Sequence, residues 1–569
     1  MSGKDDVQDP FDFDSSDAAV AGGLNRAAKA AKARHVTWGA PSNCVVFSKT
    51  LGEPAPSGPL ALSLDEARGH VQQLVAALGA VPPHHQEALG NALKLAALCA
   101  EPALRRRLRA EGQVDCVLSS LAGLARLEGE CGPLCAASLA LVLTSDPNTS
   151  SESAAAAAPA CAALLLLPRG SDGADSDGAG PPLSDGGKLA DAEEARRLLR
   201  SASGGGAASP HRAAAVVSLR GCSPALSRDR RAAFAAAFGA ARGWDAAAGA
   251  VGAAAARVAA SGGAGCGGVP CAHSVASLHP LLALLEAASF DAPAVADALL
   301  AWVGRGGARG AGDPPPASLL AALALALPHL ATAFDAADGA APAARVGACG
   351  CGRCGACGAP PPRAAAPPAR AAAFASAVAV LTNLGNERAA AGEALLGCGG
   401  VGALAAALPR LAECVRLAAA GDAAPRPPPP GCDATGALTG VLCCLANVAE
   451  TTPHAAAHLR SHPHLRLVCA VFGRARDAAA PAGGDVSCEA AASAVLVAAY
   501  ASLLLGVALR DAAPHERADA DAAVGEGGLA SVAVTLQRFL AFHADLNTVS
   551  AGGARTIRGA IDALRGGPA

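Results

Sequence analysis

Cysteine and histidine are the residues of this chain that could do chemistry, and one cysteine cluster is dense. Cys349, Cys351, Cys354 and Cys357 lie within nine residues, in the run ACGCGRCGACG. Four thiolates could hold a zinc ion, but structural zinc sites usually pair their ligands across a folded spacer. This run is continuous, rich in glycine and set in a low-complexity stretch of proline and alanine. We therefore predict that these cysteines bind no metal and that the chain has no cofactor.

A glycine-rich segment, Gly397–Gly402 (GCGGVG), fits the G-x-G-x-x-G spacing of a dinucleotide-binding loop. Such a loop follows a β-strand. The residues that come before it here, GEALLG, have the composition of a helix. We interpret the segment as a corner between two helices, in which glycine supplies positive φ angles.

No other group of residues is spaced for acid–base or nucleophilic catalysis. The sequence contains no P-loop, no G-x-S-x-G segment and no H-E-x-x-H segment. His84 and His85 follow two prolines and have no paired nucleophile. His543 stands among apolar residues of a helical pattern, where a packing or interface role is the simpler interpretation. The sequence therefore predicts a protein that is not an enzyme.

The composition favours helices with small side chains and gives no sign of a charged binding surface. Hydrophobic residues make up 52% of the 569 residues, aromatic residues 3% and charged residues 16%, with a net charge of −3. A near-neutral chain has no overall field that would attract nucleic acid or membrane. The acidic start of the chain lacks an apolar signal segment, so we expect a reducing compartment in which the 20 cysteines remain thiols.

Apolar residues recur every three or four positions through most of the chain, which predicts successive helices. The clearest stripes belong to the last helical pair, at Val532, Leu536, Phe539, Phe542, Ile557, Ile561 and Leu564. Short turns separate the predicted helices, as in stacked helical repeats. We predict an all-α, HEAT/armadillo-like helical-repeat solenoid over residues 62–568, interrupted by low-complexity insertions. A disordered arm over residues 1–58 precedes it.

One predicted helix, residues 490–509, is uncharged over a length that could span a membrane. Most of it is alanine, and its larger residues form one stripe: Leu496, Tyr500, Leu503, Leu504 and Val507. A buried helix of the repeat array explains this pattern better than a membrane span does.

The last helical pair, residues 531–565, resembles the closing segment of the wings apart-like (WAPL) family of cohesin-release factors. The resemblance lies in the sequence LQRFLAFHADLNTVS, with its arginine–phenylalanine, phenylalanine–histidine and leucine–asparagine pairs in that order. Residues 89–146 and 374–460 resemble the same family in the order of their elements. The central insertions depart from the family, and its long N-terminal extension is nearly absent.

The resemblance implies a non-enzymatic regulator in the nucleus, associated with chromatin. Such a protein binds the cohesin complex and its HEAT-repeat accessory subunit and promotes release of cohesin from chromatin. In the C-terminal helix, the residues expected to bind the partner are Arg538, Phe539, Phe542 and His543. The alternative is a generic armadillo-type scaffold for protein interactions.

The N-terminal arm adds three aromatic candidates for partner binding. Phe11 and Phe13 stand in the acidic run DPFDFDSSD, and Trp38 stands in a second short island, VTWGAPSNCVVF. A Phe-x-Phe pair in a disordered arm has nothing of its own to pack against, whereas a partner's groove could bury each ring with a gain of about 1.5–3 kcal/mol. An accidental aromatic pair is the alternative.

Overall fold

The computed structural model describes the helical part of the chain from residue 228 onward. The described ranges are 228–261, 272–290, 292–303, 317–335, 365–415, 431–479, 488–545 and 551–566, with isolated positions elsewhere. Several predictions concern residues outside these ranges: Phe11, Phe13, Trp38, His84, His85, the Cys349–Cys357 cluster, and the helices expected between residues 62 and 227.

The described helices belong to two compact units. The N-terminal unit runs to Asn386 and also contains Gly397–Ala403, and the C-terminal unit contains Glu387–Leu396 and the chain from Leu404 onward. Every named element in the described ranges is helical, and the strand-like pairing recorded there is one isolated antiparallel bridge between Val303 and Ser318. The prediction of an all-α helical-repeat fold is confirmed for this part of the chain.

The N-terminal unit contains six α-helices and a short 3₁₀ turn. They are α1 (Arg228–Ala240), α2 (Gly243–Ser261), α3 (Ala272–Ser289), α4 (Pro293–Leu300), α5 (Leu319–Ala331), the 3₁₀ turn (Thr332–Phe334) and α6 (Pro367–Gly385). Helices α2 and α6 each pack against both α3 and α5. Two aromatic contacts mark the core, Phe238 with Trp244 and Phe334 with Phe374.

The C-terminal unit contains nine helices in the described ranges, apart from Gly397 and Gly400–Ala403 at the junction of the first two. They are α7 (Ala389–Gly397), α8 (Gly400–Cys414), α9 (Ala434–Thr451), α10 (Pro453–Arg460), α11 (His462–Ala479), α12 (Cys488–Ala508), α13 (Pro514–Val524), α14 (Gly528–Asp545) and α15 (Ala551–Leu564). Helix α12 is the centre of the unit, since α9, α11, α14 and α15 all pack against it.

Helix α12 is the segment whose apolar length resembles a membrane span. By length and composition alone, Ala434–Thr451 and Ala491–Ala508 could each cross a membrane, but 61% and 72% of these stretches are buried inside the protein. The expectation of a buried helix is confirmed, since every residue from Val497 to Leu509 is buried. Helices α9, α10, α11, α14 and α15 all pack against α12, so this part of the helix is apolar on all sides and not along one stripe only.

Two local features of α6 concern its ends. The helix begins inside a proline-rich part of the sequence, at Pro367. Proline is tolerated in the first turn of a helix because that turn has no intrahelical partner for the missing N–H. Near the C-terminal end of α6, the side-chain amide of Asn383 donates to the carbonyl of Glu286 and to the hydroxyl of Ser289, which joins α6 to α3.

The interpretation of Gly397–Gly402 as a helix corner is confirmed. Helix α7 ends at Gly397, α8 begins at Gly400, and Gly399 between them has a φ of 78°. A left-handed residue at this position ends one helix and starts the next, and glycine adopts it without steric cost.

Candidate functional site

The site predicted from the sequence lies on α14, and the turn before this helix fixes where it starts. Gly525, Gly527 and Gly528 all have positive φ, so the chain reverses sharply after α13. The carboxylate of Asp521 accepts a hydrogen bond of 2.7 Å from the backbone N–H of Leu529. A side chain at Gly528 would place its Cβ 2.2 Å from that carboxylate, so the cap requires glycine there.

One face of α14 is buried in the C-terminal unit. The buried residues include Val532, Leu536, Phe539 and His543, so the predicted stripe is confirmed at its first three positions. The fourth predicted residue of the stripe, Phe542, is half-buried, and its neighbour His543 is buried in its place. A helix turns about 100° per residue. Two successive steps of three residues, from Leu536 to Phe539 and from Phe539 to Phe542, therefore rotate Phe542 away from the core.

Phe539 and His543 contact each other inside the unit. Phe539 is 2% exposed, its ring meets the imidazole of His543 edge-on at 4.3 Å between centroids, and it also meets Tyr500 of α12. Burial lowers the pKa of His543 from its usual value to about 4, so the imidazole is neutral at pH 7. In this structure both side chains therefore pack the core.

A second side of α14, next to the buried face, is partly accessible. Val534 is 43% exposed, and Arg538 and Phe542 follow it at intervals of four residues, both half-buried. Residues four apart lie above one another on a helix, so these three side chains form a continuous stripe, which we call the outer α14 face. Of the four residues of α14 that are predicted to bind a partner, Arg538 and Phe542 lie on this face. The binding role itself stays a prediction.

Val534 is the member of this face that the sequence reasoning missed. Its spacing of four residues from Arg538 is visible in the sequence. The apolar stripe, however, marks only the positions that face the core, so it gives no role to Val534. An apolar side chain beside an arginine and a half-exposed aromatic ring gives the face the residue types that are enriched at protein interfaces.

A second surface feature of the C-terminal unit is a hollow of about 270 Å³ between the α10–α11 corner and α13. Its lining includes Arg460, Arg466, His515, Glu516 and Asp519. Pockets for small molecules usually measure about 300–1,000 Å³, so the volume of this hollow lies just below that range.

Arg460 is the fixed element of the hollow. Its Nε lies 3.4 Å from Oε1 of Glu516, and its Nη1 donates a hydrogen bond of 3.0 Å to the carbonyl of Ala508 at the end of α12. The other oxygen of Glu516 accepts from the backbone N–H of Ala513 at the start of α13. These bonds join α10, α12 and α13, so the arginine holds the helix ends together.

The fold and these surfaces define an all-α helical-repeat protein. No family model matches the chain, and no curated protein matches it. Among solved structures, one from work on the interaction between cadherin and beta-catenin is 12% identical, with 92% of this chain and 88% of that chain covered and a TM-score of 0.33. A SYS-1/POP-1 complex is 8% identical, with 88% and 75% covered and a TM-score of 0.36. An engineered protein is 13% identical, with 88% and 99% covered and a TM-score of 0.31. These TM-scores are too low to bear on what this chain binds.

Proposed function

We propose that this protein is a scaffold for protein interactions and that a partner protein docks on the outer α14 face. The observation that carries the proposal is the division of α14 into two faces. Phe539 and His543 fix the helix to the core, whereas Val534 is exposed and Arg538 and Phe542 are half-buried and partly accessible. Arginine and phenylalanine are both enriched at protein interfaces, and arginine is also frequent among the residues that contribute most to binding.

We further propose that the partner is cohesin with its HEAT-repeat accessory subunit, and that binding promotes release of cohesin from chromatin. The support for this finer assignment is the resemblance of residues 531–565 to the closing segment of the WAPL family. Arg538 and Phe542, which belong to the resembling pairs, are also the accessible ones. An extended helical-repeat surface suits a regulator that binds two partners and favours one arrangement of them.

The test is direct binding of purified cohesin to the full chain and to the double variant Arg538→Glu with Phe542→Ala. We expect the double variant to bind at least tenfold more weakly, because it reverses one charge and removes one ring at the proposed contact. The matched control is Arg474→Glu with Leu325→Ala, an exposed arginine on α11 and a leucine of α5 that is 47% exposed. This control should bind like the unmodified chain.

The outcomes separate the two levels of the proposal. Equal binding by both double variants would exclude the outer α14 face as the contact. Absence of cohesin binding by the unmodified chain would exclude the cohesin assignment. If another purified protein then bound, and the Arg538/Phe542 variant weakened it, the scaffold function would stand without cohesin.

A further inference from the structure

The outer side of α15 concentrates positive charge in a chain whose net charge is −3. The inner side of this helix is buried in the C-terminal unit. The charged residues at its exposed positions are Arg555, Arg558, Asp562 and Arg565. Arg565 continues the helical turn, because its N–H donates a hydrogen bond of 3.1 Å to the carbonyl of Ile561. Residues three and seven positions apart share one side of a helix, so the three arginines lie on one surface.

A fourth arginine reaches α15 from the end of α12. Arg510 follows that helix, and its Nη2 would lie only 3.6 Å from a Cβ at Gly559 of α15. The missing side chain at Gly559 therefore makes room for the guanidinium group. The Nε of Arg510 is buried there and has no hydrogen-bond partner. We call Arg510, Arg555, Arg558 and Arg565 together the arginine face.

The four side chains of the arginine face stabilise no contact of the fold. Within the part of the chain that the structure describes, none of them makes a side-chain hydrogen bond or an ion pair. The neighbouring Arg517 differs, since it donates to the carbonyls of Leu509 and Ala563 at the ends of two helices. Four unpaired cations on one surface are available to an external anion.

Few carboxylates oppose these cations. Asp562 lies between Arg558 and Arg565 on the helix, but no ion pair joins it to either of them in the described structure. Asp511 is next to Arg510 in sequence, and the carboxylate of Glu450 accepts a hydrogen bond from Thr556. The surface therefore keeps a positive excess.

We propose that the arginine face binds the phosphate backbone of double-stranded DNA. The helix rises about 15 Å between Arg555 and Arg565, at about 1.5 Å per residue. B-DNA carries one phosphate charge per about 1.7 Å of its axis, so each arginine can meet a phosphate of its own. The planar guanidinium group also matches phosphate oxygens with two parallel hydrogen bonds.

The side chains that α15 exposes favour duplex DNA over other polyanions. In the described part of the chain, no large apolar or aromatic residue of α15 is exposed. An acidic protein would normally contact an apolar or aromatic centre, and single-stranded nucleic acid would stack on aromatic rings. The major groove of B-DNA is about 12 Å wide and admits a helix, whereas that of duplex RNA is too narrow.

The test is fluorescence anisotropy of a labelled DNA duplex of two helical turns, titrated with the full chain at increasing KCl. Four phosphate contacts predict a slope of log K against log salt of about −3.6. Arg555→Glu with Arg558→Glu should weaken binding at least about tenfold at low salt and reduce the slope to about −2. The matched control is Arg466→Glu with Arg474→Glu, two exposed arginines of α11, which changes the net charge equally and should bind like the unmodified chain.

A substitution that should strengthen binding completes the test. Asp562→Asn should bind DNA more tightly than the unmodified chain at low salt, because it removes a carboxylate that repels phosphate. All variants should unfold at the temperature of the unmodified chain, since the substituted side chains make no bond in the fold.

Several results would overturn the proposal. They are no binding of DNA at low salt, an equal loss in the two charge-reversed variants, and equal displacement of the probe by poly-glutamate or by duplex RNA. No cohesin is present in these measurements and the outer α14 face is intact. Failure of DNA binding is therefore distinguishable from failure of the proposed scaffold function.

Discussion

The ring of Phe539 in α14 meets the ring of Tyr500 in α12 edge-on, with 5.5 Å between centroids and 62° between planes. Both residues are buried, Phe539 at 2% and Tyr500 at 8% exposure, in a chain where aromatic residues are only 3% of the total. Edge-to-face pairs add about 0.5–1.5 kcal/mol to the gain from burial. The pair therefore attaches the last helices to the central helix of the C-terminal unit.

The first prediction follows from this contact. Phe539→Ala should lower the free energy of unfolding of the C-terminal unit by about 3–5 kcal/mol, because it removes a buried ring and leaves a cavity against Tyr500. Phe542→Ala, three residues on and half-buried, should cost about 1 kcal/mol. Denaturant unfolding followed by circular dichroism measures both. Equal losses would contradict the assignment of Phe539 to the core and Phe542 to the surface.

The second prediction concerns pH. Burial lowers the pKa of His543 in the folded protein to about 4, from 6.5. Between these values the unfolded chain binds the proton and the folded chain does not, so stability is lost as the pH falls from about 6.5 to about 4. At about 1.4 kcal/mol per pH unit, the loss is on the order of 3 kcal/mol.

The comparison that isolates this effect is His543→Leu, whose stability should depend less on pH in that window than the stability of the unmodified chain. The exposed His515→Leu is the control and should retain the full dependence. Parallel stability curves for the unmodified chain and His543→Leu would show that His543 does not carry the effect.

The third prediction tests how closely α12 and α15 approach each other. A Cβ at Gly506 would lie 2.6 Å from the Cβ of Ala560 and 3.1 Å from its carbonyl oxygen. Gly506→Ala should therefore destabilise the protein by about 1–3 kcal/mol through overpacking. Gly402→Ala is the matched control in α8, where a Cβ meets nothing within 4 Å, and it should be neutral or stabilising by up to about 1 kcal/mol. A thermal unfolding scan in which both variants behave alike would refute the close approach.

The sequence predicted the helices of the C-terminal unit because two signals agree. The apolar spacing indicates where helices run, and glycines indicate where they end. Ile557, Ile561 and Leu564 are buried as their spacing indicates, and Gly399 supplies the corner that the glycine run suggested. Both signals are local, since each depends on residues within a few turns of one another.

What the sequence could not supply were the contacts between distant residues. Asn383 bonds Glu286 and Ser289, almost a hundred positions earlier, and Arg460 bonds the end of α12. Nothing in the local pattern marks such partners. The same limit applies to the candidate site, because the hydrophobic stripe alone could not tell that Phe539 faces Tyr500 while Phe542 turns outward.

The last prediction concerns the N-terminal arm and rests on the proposed cohesin function. Phe11 and Phe13 lie outside the described residues, and we propose that they dock in an apolar groove of the cohesin accessory subunit. Phe11→Ala with Phe13→Ala should weaken this contact by at most about 1.5–3 kcal/mol per ring. Thermal stability of the helical units should stay unchanged, because the arm is not expected to pack on them.

Cells that carry the Phe11/Phe13 double variant should hold cohesin on chromatin longer, as measured by recovery after photobleaching. Two weak contacts on one chain raise each other's effective concentration, so losing the arm matters even where it binds poorly alone. Deletion of residues 531–565 should lengthen residence more, because it removes most of α14, including its outer face, together with α15, and exposes the core around Tyr500. Unchanged residence in both backgrounds would reject the release function. An effect of the deletion alone would reject only the role of the phenylalanine pair.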